Sequence, residues 1–138
     1  MPDAVLRMVT EDAPADVGPG VEVLGRLDDE ALAEAYRQAW VFGLPFDYEG
    51  FGIPYAEALA SGTPAVATPN VGARCVLDDG RAGVIVGLTD LGRTLVELLG
   101  DAPRRDRMRV AGLARAREFA LTSVVDQYET IYRGYGGG

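Results

Sequence analysis

Glu49 and Glu57 stand eight residues apart around a loop bracketed by glycines, Gly50-Phe51-Gly52, that runs into Ile53-Pro54-Tyr55-Ala56. Proline suits the first turn of a helix, so the loop opens a short helix over Pro54 to Ser61 with Gly62 at its end. The first amides of such a helix, near Ile53, Tyr55 and Ala56, lack intrahelical partners and carry the positive end of the helix dipole. That combination is an anion site. Gly50 and Gly52 remove the side chains that would hold a phosphate or a sugar off the backbone, and Phe51 between them can close the pocket floor. Glu57 is the only formal charge between Gly50 and Ala73, and its i±4 neighbours, Ile53 and Ser61, cannot pair with it. One helical turn, roughly 6 Å, separates it from the helix start, about the reach from a diphosphate to the ribose of the same nucleotide. Glu49, on the other side of the loop, can accept hydrogen bonds from hydroxyls attached to the distal phosphate. On spacing alone, a plain turn and a solvated glutamate remain open beside this reading.

The elements that must hold this loop are short apolar runs alternating with helical patterns. Ala4 to Val9 and Val21 to Leu24 read as strands, and Asp28 caps a helix reaching Gln38 with Leu32, Ala35, Tyr36 and Ala39 at core-facing spacing. Trp40 to Leu44 is a third strand stopped by Pro45, Pro64 to Ala67 a fourth, and Val84 to Val86 a fifth after a turn-like segment. Three helices follow, over Leu88 to Leu99, Pro103 to Glu118 and Thr122 to Arg133. The pattern implies an α/β fold, a three-layer Rossmann-like parallel sheet of about five strands in the order 2-1-3-4-5. Ligands collect where such a sheet reverses direction, here between Thr10 to Asp12 and Pro45 to Gly52. The connection from Asp12 to Gly20 is too poor in helix formers to be a covering helix.

Composition narrows the function classes. The 138 residues are 48% hydrophobic and 25% charged, with a net charge of −8, which fits one globular domain and repels a nucleic-acid backbone. No histidine and a single cysteine, Cys75, exclude an intrachain disulfide and leave no conventional zinc constellation. No cofactor is expected. Without a leader-like or membrane-spanning apolar run, a cytoplasmic place is expected, with peripheral contact at the inner membrane face as a further option. The run Arg104-Arg105-Asp106-Arg107-Met108-Arg109 reads as a solvated helix face in preference to a membrane-facing or acidic-lipid patch, and Trp40, Tyr128 and Tyr132 read as packing residues. Residues 134–138 read as a flexible glycine-rich tail behind a domain over 1–133.

The segment Glu49 to Pro64, with Glu-Gly-Phe-Gly-Ile-Pro, the second Glu, and Ala-Ser-Gly-Thr-Pro, resembles the signature of the retaining group 1 (glycogen-synthase-like, GT-B) glycosyltransferases. The likeness extends to Val21 to Leu27, Asp28 to Pro45, Pro69-Asn70-Val71-Gly72-Ala73, Asp79-Gly80, Gly83 to Val86 and Arg115 to Tyr132. It implies that Glu49 contacts the transferred sugar as the catalytic carboxylate and Glu57 contacts the ribose. Gly50, Phe51, Gly52 and Ile53 would hold the diphosphate, and Arg26 and Leu27 would face the base. It also implies hexose transfer from a nucleoside-diphosphate sugar, linked to UDP, GDP or ADP, with retention and no bound metal.

Some features depart from that family. Its opening strand, ending in Gly-Arg, and the helix starting near Lys-Gly are not found before Ala4, nor is an acceptor-binding domain. Phe46 stands where Ser is general, and Cys75 where Glu is common. The expectation is therefore a donor-binding domain truncated at its N-terminal side, inactive alone and served by an acceptor domain or partner chain. Closure by sliding Ala4 to Val9 next to Trp40 to Leu44 is the preferred arrangement. The other leaves open strand edges, through which the chain could form a homo-oligomer or act as a non-catalytic or split binding module. A receiver-like signalling domain is disfavoured, because Glu11 and Asp12 lack the matching Thr and Lys at later strand ends.

Overall fold

Hydrogen bonding sorts the strands into two parallel sheets, β1-β2 and β3-β4-β5, within two compact units, Met1–Ala35 and Tyr36–Gly138. The structure, a computed structural model, describes residues 3–135. In the first unit β1 (Leu6–Met8) pairs with β2 (Val21–Val23) in the register Leu6 to Val21 and Met8 to Val23. The intervening stretch contains no helix. It turns instead through side-chain bonds, Asp12 N–H to Thr10 Oγ1 at 3.1 Å and Gly18 N–H to Asp16 Oδ1 at 3.1 Å. Helix α1 (Asp29–Gln38) starts where expected, with Asp28 Oδ1 accepting the Ala31 amide at 2.9 Å.

The second unit holds β3 (Phe42–Leu44), β4 (Ala65–Ala67) and β5 (Val84–Ile85), with Gly43 opposite Val66 and Val66 opposite Val84. β4 is central and fully buried along its length, as a parallel strand covered on both faces must be. Ala65 and Ala67 join Tyr55, Leu59, Ala73, Val76 and Leu77 in one core cluster. Val66, on the other face by strand alternation, is equally buried. The helices are α2 (Ile53–Ala60), α3 (Val71–Val76), α4 (Leu88–Gly100), α5 (Ala102–Ala116) and α6 (Leu121–Tyr135). α5 lies against α2 so closely that a Cβ on Gly112 would fall 2.8 Å from Leu59 Cδ2.

Neighbours within each sheet follow the expected order, β1 beside β2 and β3-β4-β5, and among the described residues no ladder joins the two sheets. β1 places Arg7 between Leu6 and Met8, ion-paired to Glu22 at 3.2 Å, and Leu6 is 59% exposed. The turn-like segment after β4 contains α3, whose second residue, Gly72, hides it from a propensity reading. Trp40, Tyr128 and Tyr132, expected to pack, are exposed. The arginine run is not simply solvated, since Arg105 Nη1 donates to the carbonyls of Leu98 and Leu99 at 2.6 and 2.8 Å. Of the expected tail, Gly134 and Tyr135 close α6, and the rest lies outside the described residues.

Candidate functional site

The loop between β3 and α2 is shaped by three buried or half-buried polar side chains. Tyr55 Oη donates to the Leu44 carbonyl at 3.1 Å, Thr68 Oγ1 donates to the Phe46 carbonyl at 2.8 Å, and Asn70 Nδ2 reaches the same Phe46 oxygen at 3.0 Å. Asn70 Nδ2 also donates to Thr68 O at 3.1 Å and to Tyr55 Oη at 3.3 Å, while its Oδ1 caps α3 by accepting the Ala73 amide at 2.7 Å. Burial, offset in part by the Asn70 hydrogen bond and reinforced by the Glu49 charge, raises the Tyr55 pKa and keeps its phenol a donor.

Glu49 is bound twice at the far end of the loop. Its Oε1 accepts the Gly52 amide at 3.1 Å, and its carbonyl accepts the Gly72 amide at 2.9 Å. Gly52 caps α2 with φ 90°, a left-handed conformation that favours glycine, and no side chain caps the helix. The expected trio of free amides is reduced, because those of Tyr55 and Ala56 both turn back to the Gly52 carbonyl, at 3.0 and 3.2 Å. Of that trio, the Ile53 amide is not spent in this way. Phe51 does not floor the loop. It is half-exposed and meets Phe119 edge-on, centroids 6.0 Å apart, with the Arg115 guanidinium 4.7 Å over the Phe119 ring. Arg115 also donates to the carbonyls of Cys75 and Val76 at 2.7 and 3.2 Å, so this wall is tied to the end of α3.

Glu57 is exposed on α2 and is not unpaired, as its own helix suggested. Tyr36, 8% exposed at the end of α1, donates its phenol to Glu57 Oε2 at 3.2 Å. Tyr36 is fixed by edge contact with Phe42, and its carbonyl accepts Thr63 Oγ1 at 2.6 Å. Burial first, then the Glu57 charge and hydrogen bond, raise the phenol pKa well above 10.0. Arg26 and Leu27 follow β2 in the other unit, exposed and half-buried respectively. Tyr36, Thr68, Asn70 and Gly72 received no site role from the sequence. Only Asn70 left a local signal, an amide residue immediately before a potential helix start.

Among the described residues no three His, Cys, Asp or Glu side chains gather where they could hold a metal ion. Among the same residues no helix is long and apolar enough to cross a membrane. Cys75 is exposed and unbridged.

Comparison with known proteins gives a consistent result. The family described as "Glycosyl transferases group 1" matches residues 3–101. A D-inositol 3-phosphate glycosyltransferase of Thermomonospora curvata is 32% identical over 96% of this chain and 31% of its own length. A phosphatidyl-myo-inositol mannosyltransferase of Mycobacterium leprae is 37% identical over 81% of this chain and 31% of its own length. The chain thus spans about a third of these relatives. Among solved structures, sucrose-phosphate synthase from Thermosynechococcus elongatus superposes with a TM-score of 0.75 at 28% identity, over 86% of this chain and 31% of that one. A chain of a GtfA/B complex, at 19% identity and a TM-score of 0.71 over 87% of this chain and 25% of that one, shares the fold.

Proposed function

Because the chain belongs to the group 1 glycosyl transferases, we propose that its β3–α2 loop holds the donor of a retaining hexose transfer from a nucleoside-diphosphate sugar. The observation that carries this reading is the placement of two carboxylates around the uncapped start of α2, with Glu57 held by the buried Tyr36 and Glu49 held on the Gly52 amide. In this proposal Gly50, Phe51, Gly52 and Ile53 receive the diphosphate, Glu57 the ribose hydroxyls and Glu49 the transferred sugar. A phosphate approaching the Gly52 amide has to displace the Glu49 carboxylate, which releases that group toward the sugar. The Ile53 amide and the α2 dipole then stabilise charge developing on the departing diphosphate.

The acceptor site is assigned to another domain or a partner chain, and the chain alone is expected to transfer no sugar. The names of two relatives point to inositol 3-phosphate and phosphatidyl-myo-inositol as the acceptors to assay. A cytoplasmic site of action with peripheral contact at the inner membrane face belongs to the same proposal, and the lipid named for the Mycobacterium leprae relative is what favours the membrane contact. A second reading, a non-catalytic module completed by a partner, is favoured by the exposed stripe Leu121, Val125, Tyr128 and Tyr132 on α6. Sugar turnover by the chain alone would contradict the expectation of inactivity.

Calorimetric titration with UDP, GDP, ADP and their sugar conjugates tests the donor site. Glu57→Ala should weaken nucleotide binding about tenfold or more, the worth of a hydrogen bond to a charged group. Glu49→Ala should act mainly on the sugar-bearing donors. Equal binding by wild type and Glu57→Ala would remove the ribose role, and no binding by a folded chain would remove the donor reading. Tyr36→Phe keeps the ring against Phe42 and frees Glu57, so discrimination between ribo- and 2′-deoxyribonucleotides should shrink while the fold persists. The same variant has an alkaline signature. The folded state holds the Tyr36 proton more tightly than the unfolded chain, so its contribution is complete below about pH 10 and is lost as pH rises through the raised folded value. Urea titrations should show that loss flattened in Tyr36→Phe.

A further inference from the structure

At the opposite end of α2 from the loop, about 12 Å along the helix, a cavity of about 380 Å³ is lined by Arg37, Trp40, Ser61, Gly62, Arg105 and Arg109. Asp106 is the one carboxylate on its wall, against three guanidinium groups, in a chain whose net charge is −8. Part of this charge has a structural purpose. Arg105 caps the last carbonyls of α4 and lies 4.6 Å over the Trp40 ring, which fixes its plane. That purpose does not extend to Arg109, which makes no ion pair or side-chain hydrogen bond among the described residues. It is held beside Gly62, where a Cβ would stand 3.3 Å from Arg109 Nε. Nor does it account for a tryptophan left 59% exposed at the rim.

We propose that this cavity binds a small phosphomonoester, with the phosphate on the guanidinium groups of Arg109, Arg37 and Arg105 and the organic part against Trp40. Planar guanidinium forks match phosphate oxygens in pairs, and the cavity has the volume of a small-molecule site. The acidic surface elsewhere disfavours an extended polyanion, so recognition rests on this local cluster. The site is separate from the donor loop and stands whether or not that loop binds a nucleotide.

Trp40 is the sole tryptophan of the chain, so its fluorescence reports the site directly. The whole chain would be titrated with inorganic phosphate and ribose 5-phosphate, with ribose and chloride at matched ionic strength as controls. A saturable change with both phosphates, absent in the controls, is expected. Arg109→Glu should weaken it about tenfold or more at an unchanged melting temperature, whereas Glu57→Ala should titrate as wild type. Arg109→Gln serves as the second variant should Arg109→Glu fail to fold. The proposal is overturned by no saturable change, by an equal change in chloride, or by a response that survives loss of Arg109. A response to phosphatidic-acid vesicles with none to the soluble phosphates would also overturn it, in favour of a membrane surface.

Discussion

Replacing Gly72 with alanine is expected to cost about 2–3 kcal/mol of stability, the upper range for overpacking, and to abolish nucleotide binding by the β3–α2 loop. The added Cβ would lie 2.8 Å from the Glu49 carbonyl oxygen, 2.9 Å from Glu49 Cγ and 2.9 Å from the Gly52 nitrogen. Two of these atoms are backbone, so no rotamer change relieves the contact. The neighbour across the contact is equally constrained, because a Cβ on Gly52 would stand 3.2 Å from Gly72 C and O. The loop must therefore move away from α3, taking the Glu49 carboxylate and the start of α2 with it. Urea unfolding and calorimetry on the same preparation check both halves. A variant that unfolds and binds as wild type would show that the loop does not depend on this approach.

Asn70→Ala should be nearly as damaging, by about 2–3 kcal/mol, from a lost cap of about 1 kcal/mol and buried acceptors left without a donor. The side chain is 7% exposed and joins four groups at once: the Ala73 amide, the Phe46 and Thr68 carbonyls and the Tyr55 phenol. Thr68 still reaches the Phe46 carbonyl, so the loop should loosen rather than unfold. Asn70→Asp separates the two roles, since it keeps an acceptor for the cap and loses the donors. Thermal melts should place Asn70→Asp between wild type and Asn70→Ala. Equal melting of both variants would mean that repulsion between the new carboxylate and the Phe46 and Thr68 carbonyls cancels what the cap contributes.

What the sequence shows plainly is whatever its local pattern encodes. The apolar runs around β3, β4 and β5, the Asp28 cap and the three final helices each announce themselves within a few residues, and so does the loop with its two carboxylates. What escapes is set by contacts distant in sequence. Glu57 looks unpaired to any i±4 rule because its partner, Tyr36, lies 21 residues upstream. The amides of Tyr55 and Ala56 look available because the turn back to Gly52 depends on that residue's left-handed conformation. Gly72 weakens the helical pattern of α3 for a reason visible only once Glu49 is beside it.

The Phe51–Phe119 contact and the Arg115 bonds to Cys75 and Val76 also bear on the order in which the chain is made. Those links span 39 and 40 residues for Arg115, and 68 positions separate the two phenylalanines. During synthesis the loop and both carboxylates leave the ribosome well before the end of α5, and contacts so distant form only after the intervening chain is present. A nascent chain halted at α4 carries every residue of the candidate donor loop but not the wall that Phe51 leans on. The loop should therefore be among the last parts of the second unit to reach its final shape.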